Sequence, residues 1–355
     1  MIKSFNNTAV ILLLVLFAIA VAGCDKSKES SEQAQSKTPE GQMDAMQTEQ
    51  GGNAMSAESS MSPAMISFTK AALYPESLDY DAANNRFLVT SLREGIVGEV
   101  KDDGSYAPLL QDEHMVSAVG IRIDAAHDRV LVCNSDPGAS MHTKPENQGK
   151  LAGLAIFQLS TAKLITYLDL GKLSEGGHFC NDIALDTEGN AYVTDSFSPN
   201  IYKIDMQNNA TILLSDDRFK GEGFNLNGIV VLGDSLIVAK YNEGLLFKVP
   251  LNDPKKFTQI TIAQTMPGAD GLVLTADGHL LVIANMETNK IFKLATTDNW
   301  ASAAIANSVD TGAVFATTGV LRGGELYALD AMLHVLFNPE TKEHVEKFQI
   351  RKHVL

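Results

Sequence analysis

One short pattern recurs along most of this chain and restricts its fold more than any other feature. The typical copy has a polar residue, a small residue, an apolar strand, a turn with Asp or Gly, and a second apolar strand. The copies open at residues 76, 119, 181, 227, 270 and 318, so their spacing runs from 43 to 62 residues. Such a period of short strands is typical of propeller blades. The sequence therefore predicts an all-β fold, a six-bladed β-propeller over residues 64–355.

The ends of the repeat region and one long spacing complete this prediction. Residues 345–350 are expected to form the outer strand of the last blade, and residues 65–69 to help close the ring. The longest spacing contains an insertion at about 135–151 that is rich in Gly, Pro, Asn, Ser and Lys. Loops of this length inside compact domains often serve as functional lids.

The first residues form a targeting segment rather than part of the fold. Lys3 gives a basic start, residues 9–22 are almost all apolar, and the small residues 21–23 precede Cys24. This order resembles the bacterial lipobox, which implies that residues 1–23 are a lipoprotein signal peptide and that Cys24 is lipidated. The alternative is an uncleaved anchor helix with an incidental Cys. Both interpretations place the domain outside the cytoplasm.

The segment that follows is expected to be a disordered tether. After Cys24, residues 25–63 contain no aromatic residue and no Val, Ile or Leu, so they bury too little apolar area to offset their ordering entropy. The predicted location is the cell envelope, lipid-anchored on the periplasmic side. Asp25 resembles the signal that keeps lipoproteins in the inner membrane of many Gram-negative bacteria.

Charge and cysteine content restrict the partners. The formal net charge of -15 and pI of about 4.9 argue against nucleic acid, which requires a basic face, and against adsorption to an anionic membrane. The predicted partners are a small-molecule substrate and, through the lipid anchor alone, a membrane. Cys133 and Cys180 remain after lipidation of Cys24. In an oxidising envelope they either pair or are buried as small apolar side chains.

The opening residues of the six copies carry the predicted chemistry. The first strand of each propeller blade lines the central channel, so these residues meet at its mouth although they are far apart in sequence. They are Glu76, Val119, Asn181, Asn227, Asp270 and Thr318. Two carboxylates and two amide oxygens are hard ligands that suit Ca²⁺, with water or substrate completing its coordination. The alternative is a buried polar plug satisfied by water.

The same residues resemble those of a known family. Glu76 after Pro75, the pair 181–182, and the Asn-Gly and Asp-Gly pairs at 227–228 and 270–271 resemble the senescence marker protein (regucalcin)/gluconolactonase family. The wider group includes paraoxonases and diisopropylfluorophosphatase. The resemblance covers about residues 70–338.

That resemblance implies a calcium site and a role for each residue. The calcium ligands would be Glu76, Asn181, Asn227 and Asp270, with Asp182 beside them. Calcium in this group polarises a lactone, ester or phosphoester oxygen. Asp270 would also be the candidate base, or the group that orients the nucleophile.

The sequence departs from the family at one position and offers a second catalytic candidate at another. Phe179 stands where gluconolactonase-like members usually place an Arg that grips the sugar, so an apolar-leaning substrate is expected. Paraoxonases use a channel-mouth histidine as a base, and His178, three residues before Asn181, is the nearest candidate in this sequence. The alternative for His178 is a hydrogen-bonding role. Asp195 is expected to close its blade by hydrogen bonds.

Two functions follow from these features. The first is a calcium-dependent hydrolase of a lactone or ester, in which the metal acts as a Lewis acid and Asp270 or His178 activates water. The second is a non-catalytic envelope binding propeller with a structural calcium, since fold does not fix function. They differ in whether the calcium keeps a solvent-facing position under a pocket.

The lipobox generates the first testable prediction. Cys24→Ser should abolish acylation and release the protein from the membrane fraction, because the thiol is the acceptor of the lipid. Fractionation of cells and the mass of the mature N-terminus measure this. Unchanged processing and membrane association in the variant would contradict the assignment.

Overall fold

A computed structural model describes residues 62–338 and 345–355. The predicted signal peptide, Cys24, Asp25 and the tether up to residue 61 lie outside these residues. Within the described part, no helix is long and apolar enough to cross a membrane.

Strands dominate the described residues, and they form one sheet of eight strands and four sheets of four. Strand β1 is Met65–Thr69. The next sheet contains β2 (Leu78–Asp81), β3 (Arg86–Thr90), β4 (Val97–Val100) and β5 (Tyr106–Leu110). The eight-stranded sheet contains β6 (Ser117–Asp124), β7 (Arg129–Ser135), β8 (Lys150–Gln158), β9 (Leu164–Asp169), β10 (His178–Leu185), β11 (Ala191–Asp195), β12 (Asn200–Ile204) and β13 (Ala210–Ser215).

The remaining sheets follow the same plan. One contains β14 (Leu226–Leu232), β15 (Ser235–Lys240), β16 (Leu245–Pro250) and β17 (Thr258–Gln259). Another contains β18 (Ala269–Leu274), β19 (Leu280–Ala284), β20 (Lys290–Ala295) and β21 (Ala304–Asp310). The last combines β22 (Ala316–Arg322), β23 (Glu325–Asp330) and β24 (Lys347–His353) with β1. The helices are single turns: Ala125–His127, Leu170–Leu173, Asp217–Phe219, Pro254–Lys256 and α1 (Leu333–Leu336).

The first strands of the repeats lie side by side around a common axis. In chain order β2 contacts β6, β6 contacts β10, and so on through β14 and β18 to β22, which contacts β2 again. This closed order identifies the fold as an all-β propeller. The eight-stranded sheet consists of two antiparallel meanders, β6–β9 and β10–β13. They are joined by a short parallel pairing of His178 and Phe179 with Lys150 and Leu151.

Burial within each sheet decreases from the axis to the rim. The second strands are continuous apolar runs, and all residues of β15 and β19 are buried because neighbouring sheets cover both of their faces. The outer strand β21 has no buried residue. The runs that marked the repeats in the sequence are therefore the inner two strands of each sheet.

The last sheet differs from the prediction in the order of its outer strands. β1 pairs antiparallel with β24, so residues 65–69 do close the ring as expected. Residues 345–350 were expected to be the outermost strand, and this was wrong. The strand there is β24, which lies third, because it pairs with β23 on one side and β1 on the other.

The two remaining cysteines form a disulfide. Cys133 in β7 and Cys180 in β10 are joined, with their Cα atoms 5.3 Å apart and a sequence separation of 47. Both are fully buried. The bond therefore links the two meanders of the eight-stranded sheet, near the start of the second one.

Removing this bond should destabilise the propeller. A loop of this length predicts a loss of about 4 kcal/mol from the entropy of the unfolded chain. Chemical denaturation of the double variant Cys133→Ala, Cys180→Ala should show the loss, and reducing agent should lower the midpoint for the wild type alone. A reductant effect of equal size in both proteins would contradict the prediction.

Candidate functional site

A small cavity lies where the inner strands open, and it brings the predicted ligands together. It is lined by Glu76, Ser77, Asn181, Asp182, Asn227, Asp270, Gly271 and Thr318. Its volume of about 10 Å³ is close to what one water molecule or ion occupies. The four predicted calcium ligands and Asp182 all belong to this lining. Val119 and His178, two other positions named from the sequence, do not.

β-bulges aim these side chains at the axis. Regular pairing of each inner strand with its second strand is interrupted over two residues in β10, β14 and β18. The interrupted pairs are 181–182, 227–228 and 270–271. A bulge leaves its extra residue unpaired and redirects a side chain. The polar residue that opens each of these copies of the repeat can therefore point into the channel.

Glycine follows some of these opening residues because the next inner strand is too close for a side chain. A Cβ on Gly228 would lie 2.1 Å from the carbonyl oxygen of Asp270. A Cβ on Gly120 would lie 2.2 Å from the carbonyl oxygen of Asn181. No side chain fits at such distances. The Asn-Gly signal in the sequence thus reports close packing of inner strands rather than a turn.

Asp270 is held by a buried chain of side-chain amide and hydroxyl groups. The Nδ2 of Asn285 donates to Asp270 Oδ2 at 2.5 Å, and Tyr241 Oη donates to Asn285 Oδ1 at 2.6 Å. An ionised carboxylate only accepts, so the Asn285 amide turns its NH₂ toward Asp270 and its oxygen toward the Tyr241 hydroxyl. Sequence reasoning missed both residues.

The sequence feature that could have identified Tyr241 and Asn285 is their shared position in the repeat, directly after the second strand. Tyr241 directly follows β15, Asn285 follows β19, and Ser196 follows β11. Ser196 Oγ accepts a hydrogen bond from Asn181 Nδ2 at 2.8 Å, which leaves the carbonyl oxygen of that amide available as a ligand. The residue after each of these second strands supports a residue at the opening of a first strand.

The carboxyl groups of the cavity are mutually unfavourable in their charged forms. Burial raises the pKa of Glu76 well above its usual value, and the charges of Asp270 and Asp182 raise it further. Burial also raises the pKa of Asp270 well above its usual value, and Asp182 adds to this, while hydrogen bonds from Asn285 and Asn227 oppose it. A cation beside these carboxyl groups would offset their repulsion and favour their ionised forms.

Asp182 is engaged by neighbouring strands. Its Oδ1 accepts from the backbone N–H of Ile183 at 2.8 Å, and its Oδ2 accepts from Ile229 N–H at 3.2 Å. Arg122 Nη2 lies 3.5 Å from Oδ1. Burial raises the Asp182 pKa, and Arg122 opposes the shift. These bonds connect Asp182 to the neighbouring inner strands and hold it beside the four predicted calcium ligands.

The donor set matches a hard cation bound partly by amides. Among residues 62–338 and 345–355, no three His, Cys, Asp or Glu side chains lie close enough to hold a metal on their own. A cation in this cavity would require the amide oxygens of Asn181 and Asn227 as well as the carboxylates. Calcium accepts such a mixture, whereas zinc favours His and Cys.

His178 belongs to a different, buried network. Its Nδ1 lies 2.8 Å from Asp195 Oδ2, and its Nε2 lies 3.0 Å from the carbonyl oxygen of Ser174. Both partners are acceptors, so the charged form of the ring, in which both nitrogens carry a proton, satisfies both bonds. The hydrogen bond to Asp195 is the main reason that the pKa of His178 is raised, while burial opposes it. The geometry supports the hydrogen-bonding alternative for this residue.

Asp195 closes its blade as expected. Its Oδ1 accepts from the backbone N–H groups of Phe179, Phe197 and Ser198 at 2.8 to 3.0 Å. Its Oδ2 also accepts from Tyr202 Oη at 2.9 Å. Phe179 packs with Phe197 and Phe224 at ring distances of 5.3 and 5.2 Å.

The His178–Asp195 pair should make stability depend on pH. A raised folded-state pKa gives stability that is fully present below pH 6.5, the ordinary histidine pKa, and is lost as pH rises through the raised value. His178→Gln should therefore lower the melting temperature more at pH 6 than at pH 9. The exposed His142→Gln variant is the control. A pH-independent difference between wild type and His178→Gln would contradict the assigned charge.

The chain is similar in fold to several proteins of known structure. No family model and no curated protein matches the chain. The major allergen Mala s 1 of Malassezia sympodialis is similar, at 16% identity and TM-score 0.64 over 82% of this chain and 96% of that one. A luciferin-regenerating enzyme is similar at 12% identity and TM-score 0.56, over 81% and 95%. A putative gluconolactonase is similar at 14% identity and TM-score 0.54, over 81% and 92%. At these identities the likeness shows that the chain has the fold of such propellers.

Proposed function

We propose that this protein is a six-bladed propeller that hydrolyses a lactone or ester with calcium held in its channel. The observation that carries the proposal is the convergence of Glu76, Asn181, Asn227 and Asp270 on a buried cavity the size of one ion. The similarity to a putative gluconolactonase and a luciferin-regenerating enzyme supports a hydrolase-type propeller. Counting the eight-stranded sheet as two blades gives six, in agreement with the closed order of six inner strands.

Glu76, Asn181, Asn227 and Asp270 would hold the calcium. When bound, it would supply Lewis-acid polarisation of the substrate carbonyl oxygen. Asp270 would orient a water molecule and accept its proton. Asn285 and Tyr241 would hold the Asp270 carboxylate in one orientation throughout.

The aromatic residues beside the site favour an apolar substrate. Phe197 and Phe224 are half-buried, and Phe224 lies 6.4 Å from the ring of Tyr241. Tyr241 in turn connects through Asn285 to Asp270. An acyl or aryl lactone could pack on this surface. A sugar lactone would have no Arg to bind it, because Phe179 stands where gluconolactonase-like members usually have that Arg.

The proposal also includes the cellular location. The domain would be carried on the periplasmic side of the envelope by lipid at Cys24, and Asp25 favours the inner membrane. A small-molecule substrate would be its partner.

One observation favours the second function, a non-catalytic binding propeller with structural calcium. The cavity of about 10 Å³ has room for an ion but not for a substrate. In that case calcium would stabilise the fold without supporting turnover.

Asp270→Asn separates the two functions. It keeps the size and one oxygen ligand but removes the charge that holds the cation and accepts the proton. We expect kcat/KM on a panel of lactones and aryl esters, with calcium present, to decrease by at least about 100-fold. Asp277→Asn, an exposed carboxylate of the same sheet, is the matched control and should leave activity unchanged.

Calcium itself provides the second measurement on the same variants. Chelator should lower the wild-type melting temperature, because a ligand of the native state stabilises it, and should have less effect on Asp270→Asn. Calcium-dependent stability without turnover would favour the scaffold. Equal activity in wild type and Asp270→Asn, or indifference to chelator, would contradict the hydrolase assignment.

A further inference from the structure

The long insertion between β7 and β8 is fastened to the body of the propeller. Asp136 is fully buried, and its Oδ1 accepts from Gly138 N–H at 2.9 Å and Thr143 Oγ1 at 2.7 Å. Its Oδ2 accepts from Lys144 N–H at 3.2 Å. The Asp136 carboxylate therefore connects the first residues of the insertion to residues 143–144 further along it.

The tip of the insertion is fixed to the neighbouring sheet. Met141 N–H donates to the carbonyl oxygen of Arg93 at 2.9 Å, and Ser140 Oγ bonds to the carbonyl oxygens of Arg93 and Val116. Arg93 Nη1 donates back to the Ala139 carbonyl oxygen at 3.3 Å. These reciprocal bonds make the insertion a fixed wall rather than the lid that its length suggests.

This wall bounds a cavity of about 390 Å³, within the range of small-molecule sites. Arg93, residues 137–140, Leu336 and Phe337 line it, and none of them belongs to the cavity between the inner strands. Its walls come from the β3–β4, β7–β8 and β23–β24 connections. In an antiparallel meander these connections lie at the end where the first strand opens. The cavity therefore shares a face with the candidate calcium site.

Arg93 brings positive charge to this cavity. Among the described residues no carboxylate lies within ion-pair distance of its guanidinium, and the adjacent Glu94 pairs instead with Lys70 at 2.7 Å. In contrast, Arg129 and Arg322 each have an Asp partner. Arg93 is half-buried and uses one side-chain donor on Ala139. Its remaining donors suit a carboxylate, which a guanidinium binds with two parallel bonds.

An apolar wall stands beside this charge. Phe337 is 45% exposed, one of the few large apolar side chains so exposed in the described residues, and Leu336 is half-buried next to it. A ligand with an apolar part would cover Phe337 while its acid group bonds to Arg93. We infer that this cavity binds a small amphipathic carboxylate. The inference is independent of the proposed hydrolysis, because the two cavities share no residue.

Titration calorimetry with hexanoate on the full propeller tests this inference. Hexanoate should bind, whereas hexanamide, with the same tail and no charge, should bind at least tenfold more weakly. Arg93→Gln should weaken hexanoate at least tenfold, and Arg93→Lys should restore part of the affinity. Arg218→Gln is the matched control, since Arg218 is half exposed and pairs with Asp216 elsewhere on the surface.

A second variant keeps the test independent of Arg93. Phe337→Ser should weaken hexanoate several-fold but leave acetate, which has no tail, unchanged. Melting curves verify that each variant is folded. Equal hexanoate affinity in wild type and folded Arg93→Gln, or no binding of hexanoate to wild type at millimolar concentration, would overturn the inference.

The acid has two possible sources, which one further comparison distinguishes. Tighter binding of 6-hydroxyhexanoate, the acid formed from a lactone, would support retention of a hydrolysis product. Equal binding of both acids would support a site for amphipathic acids in general. Because calorimetry needs no turnover, binding in calcium-free Asp270→Asn would sustain this inference even if the proposed hydrolysis failed.

Discussion

The free edges of the inner strands are the constraint on which the rest of this structure depends. Around the axis these strands approach too closely for side chains but do not form ladders with one another, so their backbone groups require other partners. Side chains supply them: Asp79 accepts from Ile123 N–H at 2.8 Å, and Asp182 accepts from Ile229 N–H at 3.2 Å. Thr194 donates to the carbonyl oxygen of a neighbouring inner strand at 2.7 Å. Much of the polarity near the axis is therefore structural, and the candidate ligands are the polar groups that the neighbouring strands do not occupy.

The number and kind of hydrogen-bond donors distinguish the buried carboxyl group of Asp195 from that of Asp270. Asp195 accepts three backbone N–H bonds as well as bonds from His178 and Tyr202, so its oxygens are occupied by the fold. Asp270 receives side-chain bonds from amides and lies among other carboxylates. The two carboxyl groups are similarly buried, yet only the surroundings of Asp270 leave a negative charge that a bound ligand could neutralise.

The sequence repeat predicted the propeller and the meeting of Glu76, Asn181, Asn227 and Asp270 in one cavity, because the opening residue of each copy has a fixed place in the fold. Support from Asn285 and Tyr241 was not predicted, because the position after the second strand is shared between copies but its chemistry varies from copy to copy. The pairing of Cys133 with Cys180 depends on the approach of two meanders, which no local pattern encodes. Similarly, the hydrogen bonds between Arg93 and the insertion join two neighbouring sheets, and no local pattern in the sequence encodes that contact.

The size of the inner cavity decides where a substrate would have to bind. Room for one ion between the inner strands means that the body of any substrate must lie above them, on the face where the strands open. That face carries the half-buried Phe197 and Phe224 on one side and the fixed insertion with Arg93 on another. Catalysis in this protein would therefore divide into two parts. The inner strands would provide charge and a cation, and the connections above them, which vary most between copies of the repeat, would provide selectivity.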